Sequence, residues 1–212
     1  MKIGEAEKIA GTLGRPSKMP GFSTSTSATE CKLGSRLRSV PGSVCEGCYA
    51  MGANYQYPSV KVAHARRLRG LRDPRWVEAM VRLIEARVDP EDPYFRWHDS
   101  GDLQGVWHLA NICEVARQTP GVRHWLPTRE KGMVKSFLRG GGVIPGNLTV
   151  RLSAAMVDGG VPTASGLLTT STVSSNGGTI GCRCPAREQG NSCGECRACW
   201  DREVENVTYG KH

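Results

Sequence analysis

The sequence contains no apolar run that approaches the roughly 18 residues needed to cross a membrane. Its first residues, MKIGEAEKIAGTLGRP, lack the apolar core of a secretory signal. No segment is repeated elsewhere, so a solenoid of stacked repeats is excluded. We therefore expect a cytoplasmic protein that does not enter a membrane, and 212 residues suffice for one large domain or two small ones.

Complete disulfide pairing is also excluded, because the nine cysteines are odd in number. In a reducing cytosol, clustered cysteines are more often metal ligands or catalytic groups than disulfides. Eight of the nine fall into two groups. The first consists of Cys45 and Cys48 in CEGCYA, with Cys31 upstream after 13 intervening residues. The second lies in CRCPAREQGNSCGECRACW, residues 182–200.

The second group has the spacing of a metal site. Cys184, Cys193, Cys196 and Cys199 read C-x8-C-x2-C-x2-C, and Cys182 is a spare that would serve in place of Cys184. Four thiolates bind either zinc or an iron–sulfur cluster. A tight run of three cysteines favours a [4Fe-4S] cubane, whereas two separated pairs would favour zinc, which remains the alternative.

The first group offers three thiolates and no nearby fourth. Three thiolates hold a [4Fe-4S] cluster and leave one iron open, as an enzyme that cleaves S-adenosylmethionine requires. The alternative is a zinc site completed by His64 or by a cysteine of the tail. Cys113 occupies an apolar position of a predicted helix, so we expect it in the core.

The hydrophobic pattern predicts an α/β fold. Residues 1–30 have no periodicity and are expected to be irregular, without a convincing strand before the cysteines. Ser59 is expected to cap the first helix. The pattern predicts helices over residues 59–71, 74–88, 106–119 and 131–140, and strands within 94–103, 122–130, 147–156 and 166–175. This alternation indicates a parallel sheet, residues 1–180, followed by a cysteine-rich tail, residues 181–212.

Parallel sheets gather their chemistry just beyond the carboxyl ends of the strands. His98, Asp99 and Asp102 follow the first predicted strand and are the acid–base candidates. Asp102 would bind a cationic group, and His98 or Asp99 would move a proton. Alternation along the chain sends neighbours to opposite faces, so the three cannot all reach one site. The alternative is that Asp99 and Asp102 only cap the following helix.

Further candidates follow the next strands. Arg129 would clamp a carboxylate or phosphate, or else lie in a solvated surface pair. Arg151 and Ser153 alternate on one strand, so they share a face. Tyr49 would cover a cluster or simply pack. The formal net charge is +8, and its basic stretch, KVAHARRLRGLRDPRW at residues 61–76, suits a nucleotide or nucleic acid, or is only a solvated helix.

Several stretches carry a family resemblance. CEGCYA, FRWHDSGDL, HWLPTRE, VRLSAAM and CGECRACW…VTYGKH resemble the phage gene product 88 family, which would place the protein in an infected host cell. More distantly, the chain resembles radical S-adenosylmethionine enzymes, which bind the cofactor on an incomplete parallel barrel. SGDL, with Gly101 and Asp102, is similar in placement to the motif that binds the methionine amine there, and RLSAAMVDG, with Ser153, is similar to a later motif. The usual cysteine spacing in that family is C-x3-C-x2-C, whereas the first group here has the spacing C-x13-C-x2-C.

Together these features predict an incomplete parallel (β/α) barrel-like sheet with a metal-binding tail. The expected function is radical S-adenosylmethionine chemistry on a nucleotide or nucleic-acid-related substrate. One alternative is a zinc-stapled nucleotide- or base-modifying enzyme, transglycosylase- or hydrolase-like, that uses Asp99 or Asp102. The other is a metal-stapled module that binds nucleic acid without catalysis.

Overall fold

A computed structural model describes residues 1–163 and 169–211 of the chain. These described residues form six α-helices and seven β-strands. In chain order they are α1 Ile3–Ala10, β1 Phe22–Ser23, α2 Lys32–Leu37, α3 Pro58–Gly70, α4 Trp76–Arg87, β2 Tyr94–Arg96, α5 Val106–Gln118, β3 Arg123–Thr128, α6 Lys131–Arg139, β4 Leu148–Val157, β5 Thr170–Ser174, β6 Cys182–Arg183 and β7 Asn206–Gly210. Across the same residues, no helix is long and apolar enough to cross a membrane.

The seven strands form one sheet in which every neighbouring pair is parallel. Their order is β1-β2-β3-β4-β5-β7-β6, so each of the first five strands lies beside its predecessor in the chain. Between the described residues of the two edge strands, β1 and β6, no pairing closes the sheet. The predicted α/β class and parallel sheet are therefore confirmed.

One face of the sheet packs against the helices. Phe95, Leu126, Leu148 and Val150 point to this side and are almost fully buried. Helices α1, α4, α5 and α6 contribute the apolar side chains that meet them: Ala6, Ile9, Trp76, Met80, Leu83, Ile84, Leu109, Ile112, Val134 and Phe137. Burial of this apolar surface is the main favourable term for the fold.

The opposite face is covered by the cysteine-rich tail, and we call it the tail face. It carries Tyr94, Trp125, Thr149, Arg151 and Tyr209, which alternate along their strands with residues of the helix side. Trp200 packs edge-on against Tyr94 and Trp125, with ring centroids 5.3 and 5.1 Å apart. The Trp200 indole also donates a 3.0 Å hydrogen bond to the Phe95 carbonyl. The tail is thus part of the same packed body, and it adds β6 and β7 to the sheet.

The observed elements test the sequence predictions directly. The four predicted helices and the first three predicted strands are confirmed to within a few residues. The fourth predicted strand matches β5 from residue 170, and its part at 166–168 lies outside the described residues. The irregular lead-in was wrong, because α1 and β1 form there and β1 precedes the cysteines. The Ser59 cap was also wrong: Pro58 occupies the first helical turn after Tyr57.

Candidate functional site

The first cysteine group, Cys31, Cys45 and Cys48, lies on the segment between β1 and α3. This segment is tied to the loop after β3 and to the end of β4. The Leu33 amide donates to Glu130 Oε1 at 2.8 Å, after β3. The Val44 amide donates to the Ala155 carbonyl near the end of β4, also at 2.8 Å. The group therefore sits at the carboxyl edge of the sheet, where parallel sheets bind ligands.

The thiols of this group are close enough to influence one another. Burial raises the pKa of Cys31 to about 12, Asp102, Cys48 and Cys45 add to the rise, and Arg129 opposes it. Burial also raises the pKa of Cys45, against Arg129. A Cβ added at Gly34 would lie 3.6 Å from Cys45 Sγ and 3.7 Å from Cys31 Sγ. The two sulfurs thus face one small space that only a glycine leaves open.

Asp102 is a buried anchor for this edge of the sheet. Its carboxylate accepts hydrogen bonds from Thr128 Oγ1 at 2.6 Å, the Leu103 amide at 2.7 Å and the Arg129 amide at 2.9 Å. Burial raises its pKa, and these three bonds lower it. The contact of Asp102 with a cofactor amine stays a prediction. A cofactor amine would have to share this carboxylate with its three protein donors. Gly101, at φ 84°, packs against Thr26 of the β1 segment.

Asp99 is differently placed. Its Oδ2 accepts a 3.1 Å hydrogen bond from Ser23 Oγ on β1, and its carbonyl accepts one of 2.6 Å from the Tyr49 hydroxyl. Its other carboxylate oxygen, Oδ1, is buried and has no hydrogen-bond partner among the described residues. Asp99 thus brings an available oxygen to the site, and Tyr49 links the first cysteine group to the loop after β2.

His98 lies elsewhere. It has a left-handed backbone, φ 55°, and its ring packs edge-on against His108, with centroids 5.3 Å apart. It lines a small cavity with Arg67 and Trp76, on the helix side. Burial lowers its pKa to about 4, so the ring is neutral at pH 7. The structure therefore turns the His98 ring toward the helix side.

Arg151 and Ser153 share a face, as expected, but Arg151 is committed to the tail. It is fully buried and donates five hydrogen bonds to main-chain carbonyls. The acceptors are the carbonyls of Thr170, Ala198, Cys199, Asp201 and Val204. A cofactor that contacts Arg151 would have to displace one of these five carbonyls from the guanidinium. Ser153 accepts a 3.2 Å hydrogen bond from Ser171 Oγ, at the point where the β4–β5 pairing shifts register.

The second cysteine group, Cys184, Cys193, Cys196 and Cys199, packs beside the tail face. Burial raises the pKa of Cys199 to about 12, and its Sγ shares a 3.1 Å hydrogen bond with the Tyr209 hydroxyl. Cys184 lies in electrostatic range of Cys193, Cys196 and Cys199. The spare, Cys182, lies on β6 and donates to the Arg183 carbonyl at 3.7 Å. Cys184 also lines a polar cavity of about 260 Å³ at the ends of β5 and β7.

Both groups bring thiols together without forming a closed site. Within residues 1–163 and 169–211, no set of three or more His, Cys, Asp or Glu side chains has the spacing of a formed metal site. His64, the alternative zinc ligand, instead shares a 3.2 Å hydrogen bond with Ser25 Oγ.

Comparison with known proteins identifies the family. The family model described as gene product 88 matches residues 4–202. The chain belongs to the gene product 88 family. No curated protein and no solved structure matches the chain. In this gene product 88 protein all the cysteines of both groups lie inside the matched range, whereas β7 lies beyond it.

The basic stretch of the gene product 88 protein is divided by the fold. Arg67 is buried and bonded to Ser25 Oγ and the Thr12 carbonyl. Arg72 stacks on the Trp107 ring, 3.9 Å from its centroid, and Arg75 forms an ion pair with Glu5 at 2.9 Å. The exposed remainder is Lys61, Arg66 and Arg69. The exposed basic surface is therefore small. The nucleotide or nucleic-acid partner stays a prediction.

Sequence reasoning missed Arg96, on β2. Its guanidinium stacks over the Trp125 ring, 4.5 Å from the centroid, on the tail face. The charges and ionisable groups in its range are Tyr49, Asp99, Tyr209 and Cys199. Arg96 therefore lies within reach of residues from both ends of the site. A charged residue inside the short apolar strand YFRW was the signal that could have found it.

Proposed function

We propose that this gene product 88 protein is an iron–sulfur enzyme of the radical S-adenosylmethionine type, with its cofactor at the first cysteine group. The observation that carries the proposal is the convergence of Cys31, Cys45 and Cys48 on the segment that follows β1, at the carboxyl edge of the sheet. A strand before the cysteines is the usual order in enzymes of that type, and β1 supplies it.

The arrangement of the sheet supports the same proposal. Five consecutive parallel strands lie side by side in chain order, and α1, α4, α5 and α6 pack on one face. A doubly wound sheet would instead reverse its strand order and carry helices on both faces. The fold is best read as an incomplete barrel whose inner side is the tail face.

The donor set fits a metal cluster on chemical grounds. The Cys31 and Cys45 thiols face the gap that Gly34 leaves, and Cys48 lies in electrostatic range of both. Burial raises the pKa of Cys31 to about 12, and a bound metal cation would favour its thiolate form. Arg129 supplies positive charge beside the thiols and favours their ionised form. Metal binding would draw the three side chains closer together.

The residues around this group have separable tasks. A [4Fe-4S] cluster held by these three cysteines would supply one electron, taken from an external reductant, for the reductive cleavage of S-adenosylmethionine. Asp102 fixes the loops after β2 and β3 by its three hydrogen bonds. Asp99 Oδ1 is available to accept a proton or a hydrogen bond from a ligand. Tyr49 holds the Asp99 main chain in place.

The second cysteine group would hold an auxiliary [4Fe-4S] cluster or zinc. Cys184, Cys193, Cys196 and Cys199 are the proposed ligands, with Cys182 as the substitute for Cys184. Arg151 positions this group, because it binds the carbonyls of Ala198 and Cys199. The substrate is proposed to be a nucleotide or a nucleic acid, on the charge of the α3 surface.

The unpartnered Asp99 oxygen favours a second candidate. If both cysteine groups bind zinc, Asp99 would act as general base or nucleophile in a nucleotide- or base-modifying reaction without redox chemistry. Such a protein would be colourless. A module that only binds nucleic acid would lose affinity steeply with salt and would not need Asp99.

Metal analysis decides between these proposals. We would purify the protein anaerobically and measure iron, sulfide, zinc and the visible spectrum. Two clusters predict about eight irons per chain. Cys31→Ser should remove about four of them and abolish 5′-deoxyadenosine formation from S-adenosylmethionine and dithionite. Cys113→Ala is the matched control, since Cys113 is a buried core thiol outside both groups, and it should keep iron and activity. A colourless protein with zinc alone would rule out the radical reaction.

A further inference from the structure

Arg96 differs from Arg67 and Arg151, two arginines that the fold buries and satisfies. Arg67 and Arg151 have several hydrogen bonds to carbonyls or hydroxyls. Arg96 Nε is buried without a hydrogen-bond partner among the described residues, and Nη1 makes a 3.9 Å contact with Met19 Sδ. Among the described residues, Arg96 forms no ion pair. Arg96 is partly buried, and a buried N–H without a partner is unfavourable unless another group completes it.

The surroundings of Arg96 do not supply a contacting anion. Of its ionisable neighbours, Cys199 and Tyr209 instead share a 3.1 Å hydrogen bond with each other. Asp99 is the carboxylate in range, yet it does not pair with Arg96, and its own Oδ1 is unsatisfied. Two complementary charges thus face the same region, each with unused hydrogen-bonding capacity.

The geometry suits recognition of an oxyanion. Arg96 Cζ lies over the Trp125 ring, 4.5 Å from its centroid, and this contact restricts the orientation of the guanidinium. A guanidinium held flat presents its N–H groups as a fork that matches a carboxylate or a phosphate. The unsatisfied Asp99 oxygen requires a donor beside that anion, either a hydroxyl or an amine.

We propose that Arg96 and Asp99 form the substrate-binding pair: Arg96 binds a phosphate or carboxylate of the substrate, and Asp99 Oδ1 accepts a hydrogen bond from a neighbouring hydroxyl or amine. The site lies between the two cysteine groups on the tail face. This inference deepens the proposed function, because it places the substrate beside the first cysteine group. The binding pair itself requires neither iron nor S-adenosylmethionine.

Chemical labelling tests the proposal on the intact, metal-loaded protein. Phenylglyoxal modifies accessible guanidinium groups, and peptide mass spectrometry measures the rate at Arg96. Adenosine 5′-monophosphate is the phosphate probe and glutamate the carboxylate probe. Protection of Arg96 by one of them identifies the anion, and adenosine should protect weakly or not at all. Arg72, stacked on Trp107 at the surface, is the internal control and should label at an unchanged rate.

Matched variants give the second measurement. Arg96→Gln should weaken binding of the protecting probe about 10- to 100-fold, the loss expected for a charge-assisted pair. Arg72→Gln should change it less than about 2-fold, since a surface cation contributes little. Asp99→Asn should also weaken binding. Metal content is measured for each variant, so that weaker binding caused by a lost anion contact can be told from weaker binding caused by a lost metal.

Each outcome is decisive. Unprotected labelling of Arg96 with both probes would overturn the proposal even if the protein contains iron. Loss of metal in Arg96→Gln, with no protection in the parent protein, would show that Arg96 serves the thiols instead. Protection of Arg96 in a colourless zinc protein would support the binding pair and reject the radical reaction.

Discussion

Arg151→Met should detach the cysteine-rich tail from the sheet. Methionine nearly fills the space of the arginine stem but donates no hydrogen bond. It would leave five carbonyls without their partner, including those of Thr170, Cys199 and Val204. A buried acceptor without a partner costs about 1–3 kcal/mol, and relief from burying a guanidinium offsets part of the total. We expect a net loss of roughly 3–5 kcal/mol in the free energy of unfolding.

Urea unfolding followed by tryptophan fluorescence measures this loss, because Trp125 and Trp200 pack together beside Arg151. Limited proteolysis should cut the variant first within residues 182–205. Arg72→Met is the matched control and should change stability by less than about 0.5 kcal/mol, since that side chain is exposed. Arg151→Lys, with fewer donors, should fall between the two. A loss below about 1 kcal/mol in Arg151→Met would refute the reasoning.

Two further predictions concern stability. Burial lowers the pKa of His98 to about 4 and of His124 to about 3, so protons bind the unfolded chain more readily than the folded one. The free energy of unfolding then falls as pH drops below about 6.5, by about 2 kcal/mol per histidine at pH 5. The midpoints of urea unfolding at pH 7.5 and pH 5 measure this loss, and equal midpoints would contradict the prediction. Gly101→Ala should cost more than about 2 kcal/mol, because its left-handed backbone is combined with a Cβ position 2.1 Å from a threonine hydroxyl. Gly47→Ala, also left-handed but in open space, is the control and should cost only about 1 kcal/mol in a thermal melt; equal losses would rule out the close approach.

The sequence predicts the long periodic elements well. Helices α4 and α5 and strands β3 and β4 have regular hydrophobic patterns, so local information is enough to find them. β1 was missed because it is only two residues long. It exists through its pairing with β2 and through the antiparallel bridge between Gly14 and Ser23, and both contacts are non-local.

The sequence predicts which residue types form the site better than it predicts their contacts. Cysteine spacing indicated both groups, and the position of Asp99 and Asp102 after a strand placed them at the carboxyl edge. Spacing does not tell which polar atoms are satisfied. Asp102 is saturated by three donors while Asp99 keeps a free oxygen, and only the packing of β1 and β3 around them produces that difference.

Chain topology explains how the cysteines of the tail reach the face that carries Arg96. β7 lies between β5 and β6, so the chain must turn back after β6 and cross the sheet before it re-enters. That crossing contains Cys193, Cys196 and Cys199, and Trp200 fixes it on the tail face. Arg96 stands on the same face two strands from β4, within range of Cys199 and of the loop held by Tyr49. A ligand bound to Arg96 would therefore touch the environment of both cysteine groups, so a change of charge in either group should alter its affinity.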